Sequence, residues 1–116
     1  MDIRRGDVVR VRLDPVEGSE QGGERPAVVI SPDLINQHSP VVLVAAVTSR
    51  KTERVFPFEA LIEPPEGGLT VRSKALLMQI RSIHRGRIIG AYGTLSPRCM
   101  ADVEEALKIA TGLVRL

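Results

Sequence analysis

Short apolar runs separated by Gly and Pro occupy most of this sequence. Residues 7–13 alternate between apolar side chains and arginines, a pattern typical of a half-buried strand. Residues 41–49 are almost entirely apolar and rich in valine, which predicts a central strand buried on both faces. Further strands are predicted at residues 26–31, 58–62, 73–80 and 87–95, with Pro26 at the first position of its strand.

The hydrophobic period changes after residue 95. Ser96 followed by Pro97 is typical of a helix N-terminus, with a capping side chain and then a proline at the first helical position. Apolar residues then recur at three- and four-residue spacing, at Met100, Val103, Leu107, Ala110 and Leu113, and predict one apolar helix face. The pattern therefore predicts a single domain over residues 1–116, mainly β, built as a small barrel that the terminal helix partly caps.

The basic residues are unevenly distributed. Residues 67–101 contain no Asp or Glu, and thirteen of the sixteen basic residues of the chain are arginine. The cations of this stretch are Arg72, Lys74, Arg81, Arg85, Arg87 and Arg98. They form either a solvated face balanced by acids elsewhere or a groove for a polyanion or an acidic peptide. Aromatic residues make up only 3% of the chain, with no Trp, so a nucleic-acid surface would depend more on arginine than on stacking.

Cysteine and histidine contents exclude several classes of protein. Cys99 is the only cysteine, so no intramolecular disulfide forms and no oxidising compartment is indicated. His38 and His84 lie far apart without a second ligand nearby, and we expect neither a metal site nor a cofactor. No apolar run approaches the length of a membrane span. We expect a cytoplasmic protein with no membrane association.

Two strand ends carry the candidate chemistry. Arg25 follows a glycine-rich loop and precedes Pro26, which restricts its backbone to extended conformations. It is either directed at a ligand or is a surface arginine paired with Glu20 or Glu24. Thr48 and Ser49 end the most apolar strand, where their hydroxyls either satisfy local backbone groups or donate to a phosphate oxygen.

Two further polar residues have open roles. Gln79 interrupts an apolar strand and needs hydrogen-bond partners if it is buried, so it either ties the core together or contacts a ligand. His84 lies among arginines that disfavour its protonated form. It is either an acid–base group or a loop histidine without a catalytic role.

Several sequence blocks together resemble the MazF/PemK-type toxins, the sequence-specific endoribonucleases of bacterial toxin–antitoxin pairs. In chain order they are GDVVRVRLDPVEGSEQGGERPAVVIS, AAVTS, FPF, QIRSI, the Ser-Pro start of the last helix and ALKIATGL. The resemblance implies a small SH3-like barrel of MazF/CcdB-like type, with a C-terminal helix and short helical connections. It also implies a homodimer, single-stranded RNA in a groove along the dimer interface, and a cognate antitoxin whose disordered acidic tail covers the same surface. Cleavage in the family is metal-independent and leaves a 2′,3′-cyclic phosphate and a 5′-hydroxyl.

The resemblance also assigns roles to residues. Arg25 and Thr48 match the catalytic pair, and the residues expected to bind substrate are Glu20, Gln21, Ser49, Gln79 and Arg81. Because a guanidinium stays protonated at neutral pH, Arg25 is expected to stabilise charge and to be a candidate proton donor. The general base is left open between Glu20, Glu24 and water.

The chain departs from the family at three positions. Met78 replaces an acid found in many members, and Leu76 with Met78 stands where one branch has a catalytic Arg/Asp couple. Position 84, often acidic, is histidine here. Two other functions are alternatives: a gyrase-poisoning toxin of the same fold, which is disfavoured because the chain lacks Trp, and a non-catalytic SH3-like RNA- or protein-binding module.

Overall fold

The computed structural model describes residues 1–12 and 23–116 of the chain. Over these residues the strands are β1 (Asp7–Arg12), β2 (Glu24–Val29), β3 (Val41–Thr48), β4 (Glu59–Ile62), β5 (Ser73–His84) and β6 (Ile88–Thr94). The α-helices are α1 (Asp33–His38) and α2 (Pro97–Ala110), and short 3₁₀ turns lie at Glu66–Gly68 and Arg85–Arg87.

The strands form one antiparallel sheet in the order β4-β5-β3-β2-β1-β6. The prediction of a mainly β fold with about six strands and a C-terminal helix is confirmed. The sheet is not closed, because β4 and β6 do not pair with each other in the described part of the chain. It is nevertheless curled, since the 3₁₀ turn that follows β4 packs against β6. The fold is therefore barrel-like, but in the described residues the strand-to-strand hydrogen bonds do not run all the way around the barrel.

Two apolar clusters occupy opposite faces of this sheet. Along β2 and β3 the side chains alternate, so Val28 and Ala45 belong to one cluster while Val29 and Val44 belong to the other. Helix α2 packs on the first cluster through Val103 and its neighbours, and the second contains no residue of α2. Helix α2 thus covers only one face of β2 and β3, and the first cavity of the candidate site lies on the other face.

Some details of the predicted elements are wrong. Strand β5 runs to His84 rather than ending near residue 80, because its second half continues to pair with β3. Strand β3 is not buried on both faces along its whole length, since Val41 and Leu43 are more than one third exposed. Leu113 lies beyond the end of α2 and is 78% exposed, so it is not part of the apolar helix face.

Helix α2 begins at the predicted position. The Ser96 hydroxyl oxygen accepts a hydrogen bond from the Cys99 backbone N–H at 3.2 Å, as expected of an N-cap residue. The Ser96 hydroxyl and backbone N–H in turn donate to the Glu66 carboxylate at 2.6 and 2.8 Å. These bonds lower the pKa of Glu66 below its ordinary value. They also tie the 3₁₀ turn, and with it the segment that closes the curl, to the start of α2.

A buried ion pair holds the loop between β3 and β4. Lys74 is only 4% exposed, and its Nζ donates to Glu59 Oε1 at 2.8 Å and to the Arg54 carbonyl oxygen at 2.9 Å. The Phe56 N–H also donates to Glu59 Oε1. Burial by itself would raise the pKa of Glu59, but these hydrogen bonds and the Lys74 charge outweigh it, so that pKa lies below its ordinary value. Lys74 is therefore a structural cation, and its assignment to a solvated face or an anion-binding groove is wrong.

We expect Lys74→Met to lower the free energy of unfolding by about 3–5 kcal/mol at pH 7, because it leaves the Glu59 carboxylate buried without its cation. Urea denaturation measures this loss. The matched control is Arg72→Met, which breaks the ion pair between Arg72 and Glu63; both of its side chains are about half exposed, and the expected loss is below about 1 kcal/mol.

The pH dependence of this loss has a defined sign. Because the folded-state pKa of Glu59 is lowered, its stabilisation is present above the unfolded glutamate pKa of about 4.3 and disappears as the pH falls through the folded value. The difference between the wild type and Lys74→Met should therefore shrink in acid. Equal losses for the Lys74 and Arg72 variants would contradict a structural role for the buried pair.

Candidate active site

The ladder between β2 and β3 sets Arg25 and Thr48 near each other. It pairs Ala27 with Ala46, and the same register continued by two residues on each strand brings Arg25 opposite Thr48. Because side chains alternate along a strand, both residues share the sheet face that α2 does not cover. A first cavity opens there and a second adjoins it, and both are lined by Arg25 and Thr48.

The first cavity has a volume of about 500 Å³, with an apolar floor and a cationic rim. Its apolar lining comes from β1, β2, β3 and β5 and includes Val11, Ala27, Val44, Ala46, Leu76, Ile80 and Ile83. Its polar lining consists of Arg25, Thr48, Arg50, Gln79 and Arg81. Four of the residues expected at the site, Arg25, Thr48, Gln79 and Arg81, are therefore brought together.

A bulge in β5 places Gln79 at this cavity. The ladder with β3 pairs Ala45 with Ile80 and the next residue, Ala46, with Leu76, so residues 77–79 have no partner on β3. Leu77 turns into the core, whereas Gln79 is exposed and lines the cavity. The alternative in which Gln79 ties the core together is wrong.

The second cavity, of about 380 Å³, lies between the end of β3 and the segment that follows the Glu66–Gly68 turn. It shares Arg25, Thr48 and Arg50 with the first cavity. Its further lining residues include Ser49, Gly68, Thr70, Val71, Ser73 and Tyr92. Ser49, expected at the site, is found here.

Arg50 is a site residue that the sequence reasoning missed. It follows Thr48 and Ser49 directly and lines both cavities, so its position just after the AAVTS block was the available signal. Its backbone N–H donates to Thr48 Oγ1 at 3.1 Å. That bond uses a lone pair of the hydroxyl, and the hydroxyl proton is left to donate to an acceptor in the cavity.

The charged side chains that line the site in the described part of the chain are all positive. Three guanidinium groups, those of Arg25, Arg50 and Arg81, line the first cavity. Over residues 1–12 and 23–116, no carboxylate or imidazole lines either cavity. Such a surface attracts anions, and arginine's forked donors suit the oxygens of a phosphate.

Other candidate residues lie elsewhere. The Glu24 carboxylate is 3.3 Å from Arg10 Nε and 3.9 Å from Arg12 Nη2, and Glu24 does not line either cavity. His84 also lies outside the cavity linings, and its Nδ1 accepts a hydrogen bond from the Gly86 N–H. Glu20 and Gln21 lie outside the described residues.

The basic stretch does not form one continuous groove. Arg72 pairs with Glu63, and Arg85 donates to the carbonyl oxygens of Asn36 and Ser39. Of that stretch, Arg81 is the cation that lines a cavity. In the part of the chain that the structure describes, no group of three or more His, Cys, Asp or Glu side chains is placed to hold a metal ion, and no helix is long and apolar enough to span a membrane.

Comparison with known proteins decides the family. The model of the PemK-like, MazF-like toxins of type II toxin–antitoxin systems matches residues 4–111. The chain belongs to this family. The MazE–MazF structure from Deinococcus radiodurans is similar to this MazF-like toxin with a TM-score of 0.80 and 28% identity, covering 98% of this chain and 99% of that one.

Mycobacterial structures share the fold at lower identity. An endoribonuclease in complex with its cognate antitoxin, from a mycobacterial species, has a TM-score of 0.80 and 22% identity over 98% of this chain and 99% of its own. The Mycobacterium tuberculosis toxin MazF-mt6 has a TM-score of 0.77 and 19% identity over 94% and 99% of the two chains. The open, barrel-like sheet with its terminal helix is thus the fold of MazF-type structures.

Gly68, which lines the second cavity, provides a test of how closely the 3₁₀ turn packs against β6. Gly68 has a φ of +72°, and a Cβ atom there would lie 1.9 Å from the Tyr92 carbonyl oxygen. Gly112 has a similar φ of +78° with nothing within 4 Å of such an atom.

Both Gly→Ala changes carry the cost of a left-handed residue, about 1–2 kcal/mol. We expect Gly68→Ala to cost about 1–3 kcal/mol more, because the backbones must separate. Urea denaturation of both variants checks this, and equal losses would show that the turn and β6 are not in close contact.

Proposed function

We propose that this protein is a sequence-specific, metal-independent endoribonuclease toxin that cleaves single-stranded RNA, mRNA included, and is neutralised by a cognate antitoxin. The observation that carries the proposal is the junction of the two cavities, where Arg25, Thr48 and Arg50 meet without a carboxylate among the described lining residues. Single-stranded RNA fits such a site because each phosphate lies between two unpaired bases, which are free to enter the adjoining cavities. The similarity to structures of MazF proteins and of a mycobacterial endoribonuclease supports the same activity.

The proposed reaction is an internal transesterification. The ribose 2′-oxygen attacks the adjacent phosphorus and loses its proton, and the bond from phosphorus to the 5′-oxygen of the next nucleotide breaks. The 5′-oxygen takes up a proton, which gives a 2′,3′-cyclic phosphate and a 5′-hydroxyl. Negative charge builds on the non-bridging oxygens in the transition state. Donors fixed around those oxygens therefore supply most of the catalytic effect.

Arg25 and Thr48 supply these donors. The Arg25 guanidinium offers a forked pair of N–H groups to the phosphate, and it is also the candidate proton donor to the leaving 5′-oxygen. Thr48 adds a single O–H donor whose direction is restricted by its bond from the Arg50 N–H. Arg50 contributes a second positive charge at the same junction.

The general base is a separate question. A guanidinium remains protonated at neutral pH and is a poor proton acceptor. Glu24 is held beside Arg10 and Arg12, outside the described cavity linings. The remaining candidates are water and Glu20, which lies outside the described residues.

We further propose that the protein acts in the cytoplasm as a homodimer. The first cavity has the partly exposed residues Ala46, Leu76 and Ile80 in its lining, on a face that α2 does not cover, and a second copy would bury part of this surface while extending the groove. The cognate antitoxin would place an acidic, disordered tail over Arg25, Arg50 and Arg81, so that RNA and antitoxin compete for the same cations.

The purified protein should cut single-stranded RNA in the presence of EDTA and leave cyclic phosphate ends. An oligonucleotide with 2′-deoxyribose at the mapped scissile position should remain intact, because the attacking oxygen is missing. Gel electrophoresis with mass spectrometry of the ends checks both outcomes. Equal cleavage of the deoxy substrate would refute the 2′-oxygen mechanism, and failure to cut any RNA would favour a non-catalytic binding module.

We expect Arg25→Ala to lower kcat at least about 10²-fold, the usual loss for one transition-state donor. Arg50→Ala should lower kcat/KM about 10-fold or more, since a charge-assisted hydrogen bond is worth about 1.5–3 kcal/mol. The matched control is Arg54→Ala, which removes an exposed arginine of the same loop whose guanidinium lies over the Phe56 ring, outside both cavity linings. Its effect should stay within about twofold. Equal losses for all three variants would indicate general electrostatic attraction instead of a defined phosphate site.

A further inference from the structure

An aromatic residue that the proposed chemistry does not use lines the second cavity. Tyr92, on β6, is 42% exposed and lines this cavity together with Val71, which is 58% exposed. It is the only tyrosine of a chain that has no tryptophan and two phenylalanines. In a protein so poor in aromatic residues, an exposed tyrosine among the residues that line the candidate site calls for a functional explanation.

The fold holds this ring close to the reacting groups. Strand β6 is at one edge of the sheet, yet the curl brings Tyr92 into one cavity with Arg25 and Thr48 from β2 and β3. The backbone at Gly68 packs so closely on the Tyr92 carbonyl that no Cβ atom fits between them. The tyrosine backbone is thereby held against the turn that also lines this cavity.

The other lining residues suit a planar, uncharged, hydrogen-bonding ligand. Ser49 and Thr70 are exposed and bring hydroxyl groups to the lining, Leu69 and Val71 bring apolar surface, and no described lining residue carries a negative charge. A nucleobase has these properties, with two apolar faces and polar edges. Unstacked bases in single strands are commonly bound against aromatic rings in this manner.

We propose that the second cavity is a nucleobase subsite, in which Tyr92 stacks on the base of a nucleotide that flanks the scissile phosphate. The proposal rests on the proposed ribonuclease function, because the phosphate bound at Arg25 and Thr48 determines which base of the strand can reach the second cavity. Since both cavities share those two residues, the phosphate occupies their junction and one adjacent base enters the second cavity. Tyr92 is then a substrate-binding residue, and the cavity contributes to sequence preference.

Removing the ring tests the proposal. On an oligonucleotide that contains the mapped cleavage site, Tyr92→Leu should lower kcat/KM about 5- to 150-fold, the range that corresponds to loss of one base–aromatic stack. Tyr92→Phe keeps the ring and should recover most of that loss. The matched control is Phe56→Leu, because Phe56 is also 42% exposed but lies outside both cavity linings. Its kcat/KM should stay within about twofold of wild type, with thermal melts confirming that all three variants fold.

Substrates with one base removed locate the stacking partner. Abasic nucleotides are placed in turn on the 5′ and the 3′ side of the scissile phosphate. At one of these positions the abasic change should slow the wild type, and Tyr92→Leu should cause no further loss on that substrate. Additive losses at both positions would overturn the stacking assignment even though cleavage itself continued.

Tyrosine fluorescence gives a readout that does not require cleavage. Because Tyr92 is the only tyrosine and there is no tryptophan, tyrosine emission reports on this residue. Binding of the uncleavable deoxy oligonucleotide should quench it, and the abasic version identified above should quench it much less. Unchanged emission on saturation, or equal quenching by both oligonucleotides, would overturn the proposal while wild-type cleavage still supported the ribonuclease function. Absence of both binding and cleavage of RNA would overturn the two together.

Discussion

The register between β2 and β3 is the constraint on which the site depends. Pairing of Ala27 with Ala46 sets which face of the sheet each later residue occupies. A slip of one residue on either strand would turn Arg25 or Thr48 toward the face that α2 covers. Val28 and Val29 are both fully buried, in different clusters, so such a slip would also exchange the contents of the two cores. The same packing that stabilises the sheet therefore aligns the two catalytic candidates.

A second constraint acts on the loop after β3. Thr48 and Arg50 lie at the start of this loop. Further along, the loop is held by the hydrogen bonds that Lys74 donates to Glu59 and to the Arg54 carbonyl oxygen. Burying an ion pair is costly and is seldom the most stable solution for a core. A loop that carries a candidate active-site cation has to keep a defined course, however, and a buried pair with directional hydrogen bonds restricts that course more than apolar contacts would. We interpret the pair as positioning the loop at some expense of stability.

The sequence predicted local features well and long-range ones poorly. The start of α2 at Ser96 and the alternation in β1 are local patterns. Arg25 and Thr48 are candidates because a proline and an apolar run mark their strand ends, and the catalytic roles proposed for them rest on the family resemblance. The bulge that exposes Gln79 depends on pairing with β3, more than thirty residues away in the chain. Burial of Lys74 depends on Glu59, which lies on a neighbouring strand. Tyr92 enters the site only through the curl of the sheet, which no periodicity of β6 encodes.

The proposed binding of one phosphate between two cavities has a mechanistic consequence. Attack by the 2′-oxygen requires it to lie in line with the departing 5′-oxygen, a geometry that stacked RNA rarely adopts. Binding energy from bases on either side can hold the backbone in this extended geometry, so that remote contacts lower the barrier instead of only improving affinity. A duplex cannot supply bases to separate cavities without unpairing them. Restriction to single strands would then follow from the same geometry that aligns the reacting atoms, with Arg25 at the junction where the two cavities meet.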